Sequence, residues 1–351
     1  MNRREGGPRP RLLPSIPGAG WILRRLRSQA TFVAFILPAT IFLIVLVIYP
    51  VVATLTLGFV GADGQFTGLD NFATVIGSKQ TVNADCLQTG PPCGTLINNL
   101  IWIGLHLPLT MFMGLFLAML LQRVRGAAIV KSMIFLGMVT PLIVIGTVLK
   151  FILEAPIGLV PAFFGSIGIK GLAVNWLTSN PSTLLFGLIM GTVWSWTGFS
   201  MIVYSAGLTT IPKDYFEAAR VDGASEWQVF RKITWPLLKP VTLVIVTMTV
   251  LWELKLFDIV IGATNQQGGL GGAADVLALQ MYRFFYVQDY NHAAVVATLL
   301  TIFTFVVSIS LFRELLNLPR HKRRLLRARA KPAEVGTDSP QATIAPTGDS
   351  P

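Results

Sequence analysis

Residues 217–240 read EAARVDGASEWQVFRKITWPLLKP, and they separate two long apolar runs, TLLFGLIMGTVWSWTGFSMIVYSAGL (183–208) and VTLVIVTMTVLWELKLFDIVIG (241–262). Each flanking run exceeds the roughly 20 apolar residues that a helix needs to cross a bilayer. The charged stretch is therefore a place where the chain leaves the apolar phase and does something there.

Its residues predict two short helices around a glycine. Thr210 is a candidate N-cap with Pro212 in the first turn, and Asp214 and Glu217 put negative charge near a helix N-terminus. That helix, IPKDYFEAARVD, should stop at Gly223, which can take the left-handed conformation. Ser225 and Gln228 then form a capping box that opens a second helix. Trp227, Phe230 and Ile233 give it one apolar face opposite Glu226, Arg231 and Lys232, and Pro236 and Pro240 close the unit. A short element with an unburied apolar stripe wants a partner surface; the alternative is an amphipathic loop resting on headgroups.

The rest of the chain agrees with a membrane setting. Of 351 residues, 53% are hydrophobic and 13% charged, with a mean hydropathy of +0.63. Apolar windows place six spans near Phe32–Phe59, Leu96–Leu121, Met133–Leu153, Thr183–Leu208, Val241–Gly262 and His292–Leu311. This predicts an all-α, polytopic membrane protein with six transmembrane helices. The first window is too long for a signal peptide and lacks a small-residue cleavage site, so it reads as a retained helix kinked near Pro38 or Pro50. The segment EAPIGLVPAFFGSIGIKGLAVNWLTSNP (154–181) is too interrupted to span and reads as short interfacial helices.

Of the 28 Lys and Arg residues, 23 lie before the first span, in the second-to-third loop, in the 209–240 loop or after the last span. By the positive-inside rule both termini and that loop are cytoplasmic, in a multi-pass membrane protein. Residues 1–30 form a basic N-terminal segment, 31–312 the membrane domain, and 313–351 a tail that is first basic (HKRRLLRARAK, 321–331) and then disordered. The basic cluster suits anionic membrane lipid better than nucleic acid. Cys86 and Cys93 share the outside loop NADCLQTGPPCG (83–94), where a disulfide suits an oxidising exterior and two free thiols are the alternative. Two cysteines without neighbouring His supply too few ligands for a metal.

The sequence holds no G-x-x-x-x-G-K-[ST] phosphate loop, so the chain binds no ATP itself, and no H-E-x-x-H or G-x-S-x-G catalytic arrangement. Ionisable residues within spans are costly and count as functional candidates. Glu253 and Asp258 in the fifth window are of this kind, each with a structural alternative; Glu253 and Lys255, two residues apart, cannot pair with each other on one helix. Asn98, Asn99, Trp102 and His106 on the second span, with Trp194, Trp196 and Tyr204 on the fourth, combine aromatic faces with hydrogen-bonding groups and are candidates for lining a polar-solute pathway. Interfacial anchoring and ordinary packing are their alternative roles.

The pattern Glu217-Ala218-Ala219, Gly223, Ile233, Pro236 resembles the EAA motif in the membrane subunits of bacterial ATP-binding cassette importers. The extended form, with Asp222-Gly223-Ala224, Phe230 and Pro240, is similar to the maltose and α-glucoside type of carbohydrate permease, with Trp235 standing where Leu is usual. The likeness runs from about residue 32 to 311 and includes LWELKLFDIVIGATNQQGG (251–269) and MYRFFYVQDYNHAAVVATLL (281–300). A Gly-Gly-Leu replaces the usual Gly-Gly-Pro in a longer glycine-rich loop, which leaves the solute open. The resemblance implies a type I importer permease fold and an alternating-access importer subunit that is not itself an enzyme. It also implies ATP and Mg bound in two partner ATPase subunits, a second homologous permease and an extracytoplasmic solute-binding protein. The 209–240 loop would be the coupling element, with Glu217 bonding a basic group of the ATPase. An ion-coupled secondary transporter is the alternative; it needs midplane carboxylates, for which Glu253 is a weak candidate, and inverted repeats, of which the sequence shows none.

Overall fold

The computed structural model describes residues 32–122, 124–265 and 267–329. The predicted basic segment 1–30 and the tail from residue 330 onward lie outside the described residues. Five helices are long and apolar enough to cross a membrane: α1 (Phe32–Leu57), α4 (Thr95–Leu120), α8 (Pro181–Thr209), α10 (Glu226–Glu253) and the apolar part, Tyr290–Ser310, of α13 (Tyr290–Arg329). The bent pair α5 (Ala127–Val139) and α6 (Leu142–Leu153) makes a sixth crossing when counted as one span. Shorter helices α2 (Asp70–Gly77), α3 (Cys86–Thr89), α7 (Leu159–Ser166), α9 (Lys213–Val221), α11 (Asp258–Thr264) and α12 (Leu277–Tyr286) fill the connections.

The bundle is organised around α8. The Asn180 side chain caps it by accepting from the Ser182 amide at 2.9 Å, and Pro181 occupies the first turn, where its missing N–H costs nothing. α4 and α5 pack along it at small residues. A Cβ on Gly114 of α4 would overlap Ser200, and one on Gly198 would lie 2.9 Å from the Phe135 Cα of α5. Such close approach is how helices associate where no hydrophobic driving force separates protein from lipid. Three apolar cores result among the described residues: Leu115, Met201, Tyr204, Leu238 and Ile245 toward the 209–225 end, Trp102, Leu188, Ile189 and Ile259 toward the other, and Val75, Leu277, Val295 and Val296 where α2, α12 and α13 meet. α1 packs on α13, and its side chains are largely exposed.

Two predicted spans are corrected. The third, expected as a straight Met133–Leu153, begins at Ala127 and turns by 97° between α5 and α6. Thr140 is extended (φ −70°, ψ 130°) because Pro141 excludes its α conformation. The fifth, expected over Val241–Gly262, starts at Glu226 and ends at Glu253, and α11 follows as a separate piece. α6 and α11, the two pieces beyond these breaks, then pack against each other. Their backbones touch at Gly146 and Gly262, where a Cβ on either would overlap a carbonyl oxygen of the other helix, that of Ile259 or Ile143.

Proline acts differently within α1 and α10. In α1 a wide π turn covers Ile44–Ile48, and the Tyr49 amide bonds back to Ile44 just before Pro50. In α10 the same turn covers Phe230–Thr234, and the Trp235 amide bonds back to Phe230 just before Pro236. An added residue in the turn relieves the clash that a proline ring makes with the carbonyl four residues earlier, so the helix continues. The expectation that Pro236 and Pro240 end the coupling unit is therefore corrected: both lie within α10.

At the end of the bundle opposite α9, Cys86 and Cys93 are disulfide-bonded with Cα atoms 5.0 Å apart. Lys79 and Asp85 pair at 2.8 Å on the surface beside them, and that hydrogen bond raises the lysine pKa and lowers the aspartate's. Gln280 of α12 ties this region inward, accepting from Thr95 at 2.6 Å and donating to Thr81 at 2.8 Å. The 154–181 segment carries the short helix α7, with Leu159 and Phe163 exposed, in agreement with an interfacial role.

Two stability tests follow from these contacts. Gly262→Val forces α6 and α11 apart and lowers the stability of the detergent-purified protein by about 2 kcal/mol or more, read as a lower thermal midpoint. Cys86→Ser removes the crosslink and costs about 2 kcal/mol by the same measurement under non-reducing conditions, an effect that reductant reproduces in the wild type.

Candidate functional site

The loop between α8 and α10 forms a compact helical turn. α9 ends in paired backbone bonds, Gly223 amide to Arg220 carbonyl at 3.0 Å and Ala224 amide to Ala219 carbonyl at 2.9 Å, the Schellman arrangement. Gly223 has φ +76°, which a residue with a Cβ adopts at a cost. Ser225 and Gln228 make both bonds of the expected capping box, at 2.9 and 3.3 Å. Thr210 does not cap α9: it follows the end of α8 and its hydroxyl bonds the Gly207 carbonyl at 2.7 Å, while Pro212 occupies the N-cap position.

Glu217, Ala218, Asp222 and Gly223 are exposed, and Ala219 and Ala224 are half-buried. The expected apolar stripe is divided. Trp227 is 67% exposed and stacks on Phe230, whereas Phe230 and Ile233 are half-buried, and the buried face of the helix is Val229, Thr234 and Leu238. A groove of ≈ 1100 Å³, lined by Phe116, Leu120, Ile211, Glu217, Arg220 and Phe230, separates this element from the end of α4. Arg220 and Glu226 bridge α9 to α10 at 3.4 Å across the glycine turn.

Within the bundle, Asn98, Trp102 and His106 lie four residues apart along one face of α4 and are fully buried. Asn98 donates to the Ala273 and Asp275 carbonyls at 3.2 and 2.9 Å. Asn99 donates to the Glu253 carbonyl at 3.2 Å and accepts from the Leu277 amide at 2.8 Å. His106 Nδ1 is paired with Glu253 Oε1, both side chains fully buried. The partner that Glu253 could not find on its own helix is thus supplied by α4. Trp252 stacks between His106 and Trp196, with ring centroids 6.0 and 4.3 Å away, and Trp196 donates to Thr249 at 2.9 Å.

The sequence-derived pathway residues are therefore dispersed. Asn98, Asn99, Trp102, His106 and Glu253 form one seam, and Trp196 reaches it through Trp252. Tyr204, fully buried, donates to Thr242 at 3.1 Å near the coupling end. Trp194 is 58% exposed on the side of α8, and Asp258 is an exposed first residue of α11, where a negative charge favours the helix N-terminus. Asn98 and Asn99 direct their amides to backbone. Sequence reasoning missed Trp252 and the ion pair of Asp275 with Arg283; their signals were an aromatic adjoining Glu253, and an Asp just before α12 with an Arg in its last turn. Among the described residues, no three His, Cys, Asp or Glu side chains are grouped as a metal would require.

Residues 110–319 match the family described as the binding-protein-dependent transport system inner membrane component. The chain belongs to this family. It is 51% identical over 292 residues to a probable ABC transporter permease protein of Pyrococcus horikoshii, covering 82% of this chain and 99% of the relative. The osmoprotective compounds uptake permease protein GgtC of Synechocystis is 32% identical over 80% of this chain and 96% of its own length, and the alpha-glucoside transport system permease protein AglF of Rhizobium meliloti 31% over 78% and 79%. A chain from a bacterial ABC transporter involved in alginate import superposes with a TM-score of 0.69 at 22% identity, covering 85% of this chain and 99% of that one. The fold is thus that of a type I ABC importer permease, and the chain is a membrane permease rather than an enzyme. Family membership displaces the ion-coupled alternative.

Asn99 joins the loose end of α10 to the start of α12, so Asn99→Ala leaves the buried Leu277 amide unpaired, while the Glu253 carbonyl keeps its bond from the Leu256 amide at 3.2 Å. The substitution should lower stability by about 2 kcal/mol or more, measured by thermal unfolding, while Lys255→Ala on the exposed side stays within about 0.5 kcal/mol.

Proposed function

We propose that this permease imports a sugar or related polyol by alternating access, driven by ATP hydrolysis in two partner ATPase subunits and fed by an extracytoplasmic solute-binding protein. A second homologous permease completes the pore. The observation that carries the reading is the α9–α10 element, a pair of helices held rigid by a Schellman turn and a capping box, with Glu217 and Trp227 facing outward and unburied. A rigid projecting element of this kind suits delivery of a partner's movement to the spans. The sugar class is supported by relatives named for alpha-glucoside, lactose and trehalose/maltose transport.

The distribution of basic residues puts the α9–α10 element and both termini on the cytoplasmic side, and the disulfide end outside, where the binding protein would dock. ATP and Mg belong to the ATPase subunits. Glu217 would accept a charge-assisted hydrogen bond from a basic group there. Trp194, Trp196 and Tyr204 remain candidates for lining the solute path.

The test is ATP hydrolysis by the reconstituted assembly with its binding protein, across a panel of sugars. One sugar should stimulate hydrolysis, and Glu217→Ala should reduce that stimulation about tenfold or more. Gly223→Asp should do the same by straining the turn. Solute-independent hydrolysis that neither variant alters would overturn the reading.

A further inference from the structure

Helix α10 runs unbroken from Glu226 to Glu253, 28 residues and so about 42 Å at 1.5 Å per residue. Its first turn belongs to the coupling element, with Trp227 exposed and Glu226 bridged to Arg220. Its last residue is Glu253, beyond which the chain breaks before α11. One rod therefore has its coupling surface at one end and a buried carboxylate at the other.

Glu253 meets His106 across the α4–α10 seam with no water-accessible surface on either side chain. The network is only half satisfied. Among the described residues, His106 Nε2, Glu253 Oε2 and Trp102 Nε1 have no hydrogen-bond partner, although all three are buried. An incompletely satisfied polar cluster in an apolar interior gains little from being closed, because the desolvation cost of its idle atoms offsets the bond it makes. A junction of this kind is held shut by little net free energy, and parting it would let its idle polar atoms reach water or solute. Along the rest of α10 the contacts are apolar or firmly bonded, with Ile245 fully buried, Asn99 of α4 bonded to the Glu253 carbonyl and Trp196 of α8 bonded to Thr249.

We propose that the His106–Glu253 pair is the latch through which α10 transmits the state of the coupling element to α4. It holds the seam shut in this conformation and parts when the coupling end of the rod is displaced. Both are positioning residues for transport: they keep ATP hydrolysis silent until solute arrives. The inference rests on the importer reading, since displacement of the coupling end requires the ATPase partners.

The experiment uses the complete importer in lipid vesicles, reconstituted with and without its solute-binding protein. His106→Ala and Glu253→Ala, each of which removes one partner of the pair, should each raise hydrolysis without binding protein by about fivefold or more, the lower range of coupling between sites. The double variant His106→Gln with Glu253→Gln keeps an amide-to-amide hydrogen bond across the seam and should hold hydrolysis near the wild-type level. Ile245→Ala, which loosens the same helix without touching the pair, should not raise it. The wild type gives a second readout independent of folding. Carbethoxylation of His106, read by peptide mass spectrometry, should be low at rest and rise about fivefold or more when the ATPases are trapped with vanadate. Unchanged basal hydrolysis in His106→Ala and Glu253→Ala variants that assemble, an equal rise in Ile245→Ala, or His106 equally protected in both states overturns the latch. Absence of ATP-driven uptake by the wild type would instead sink the importer reading, so the two failures are distinguishable.

Discussion

Inside hydrocarbon, every backbone N–H and C=O has to find its partner within the protein. Most of this chain meets that requirement as uninterrupted helix, and the instructive places are those where helix fails. At Pro50 and Pro236 a π turn keeps the ladder closed across a residue that cannot donate. At Thr140–Pro141 the ladder ends, and α6 sets off in a new direction against α11. Where α10 stops and the glycine-rich loop before α12 begins, Asn98 and Asn99 bond the stranded carbonyls and amide. The buried amides of α4 are thus explained by the backbone they complete.

The same constraint links mechanics to packing. Because α10 is not cut at its prolines, the coupling element and the bundle interior share one rigid body, and a force applied at Trp227 reaches Glu253 without an intervening hinge loop. Because α4, α5, α6 and α11 approach their neighbours at glycines and small residues, their contacts are backbone against backbone and give way little. Between these stiff contacts the polar seam at His106 and Glu253 is a weaker join, since its gain in attraction is set against the cost of burying atoms that find no partner.

The two ends of the bundle differ in how they are held. The coupling end depends on local devices, a Schellman turn and a capping box, each worth about 1 kcal/mol. It leaves charged and aromatic side chains, Glu217 and Trp227 among them, exposed. The opposite end is crosslinked by Cys86–Cys93 and stitched by Thr81, Thr95 and Gln280, which join segments distant in sequence.

By itself the sequence determined the helical class, the positions of the second, fourth and sixth spans, the Gly223 turn and the Ser225–Gln228 box, because each depends on hydropathy or on neighbouring residues alone. The EAA pattern was legible for the same reason, as a run of local structure with fixed spacing. What only tertiary structure decided was which helices break and which continue: Pro141 ends a helix and Pro236 does not. That difference depends on whether the surrounding packing rewards a turn or a continued rod. Glu253 shows the limit most clearly. Its own helix offered no partner, and the one it has lies 147 residues earlier in the chain, brought to it by the packing of α4 against α10, a distance over which no local pattern carries information.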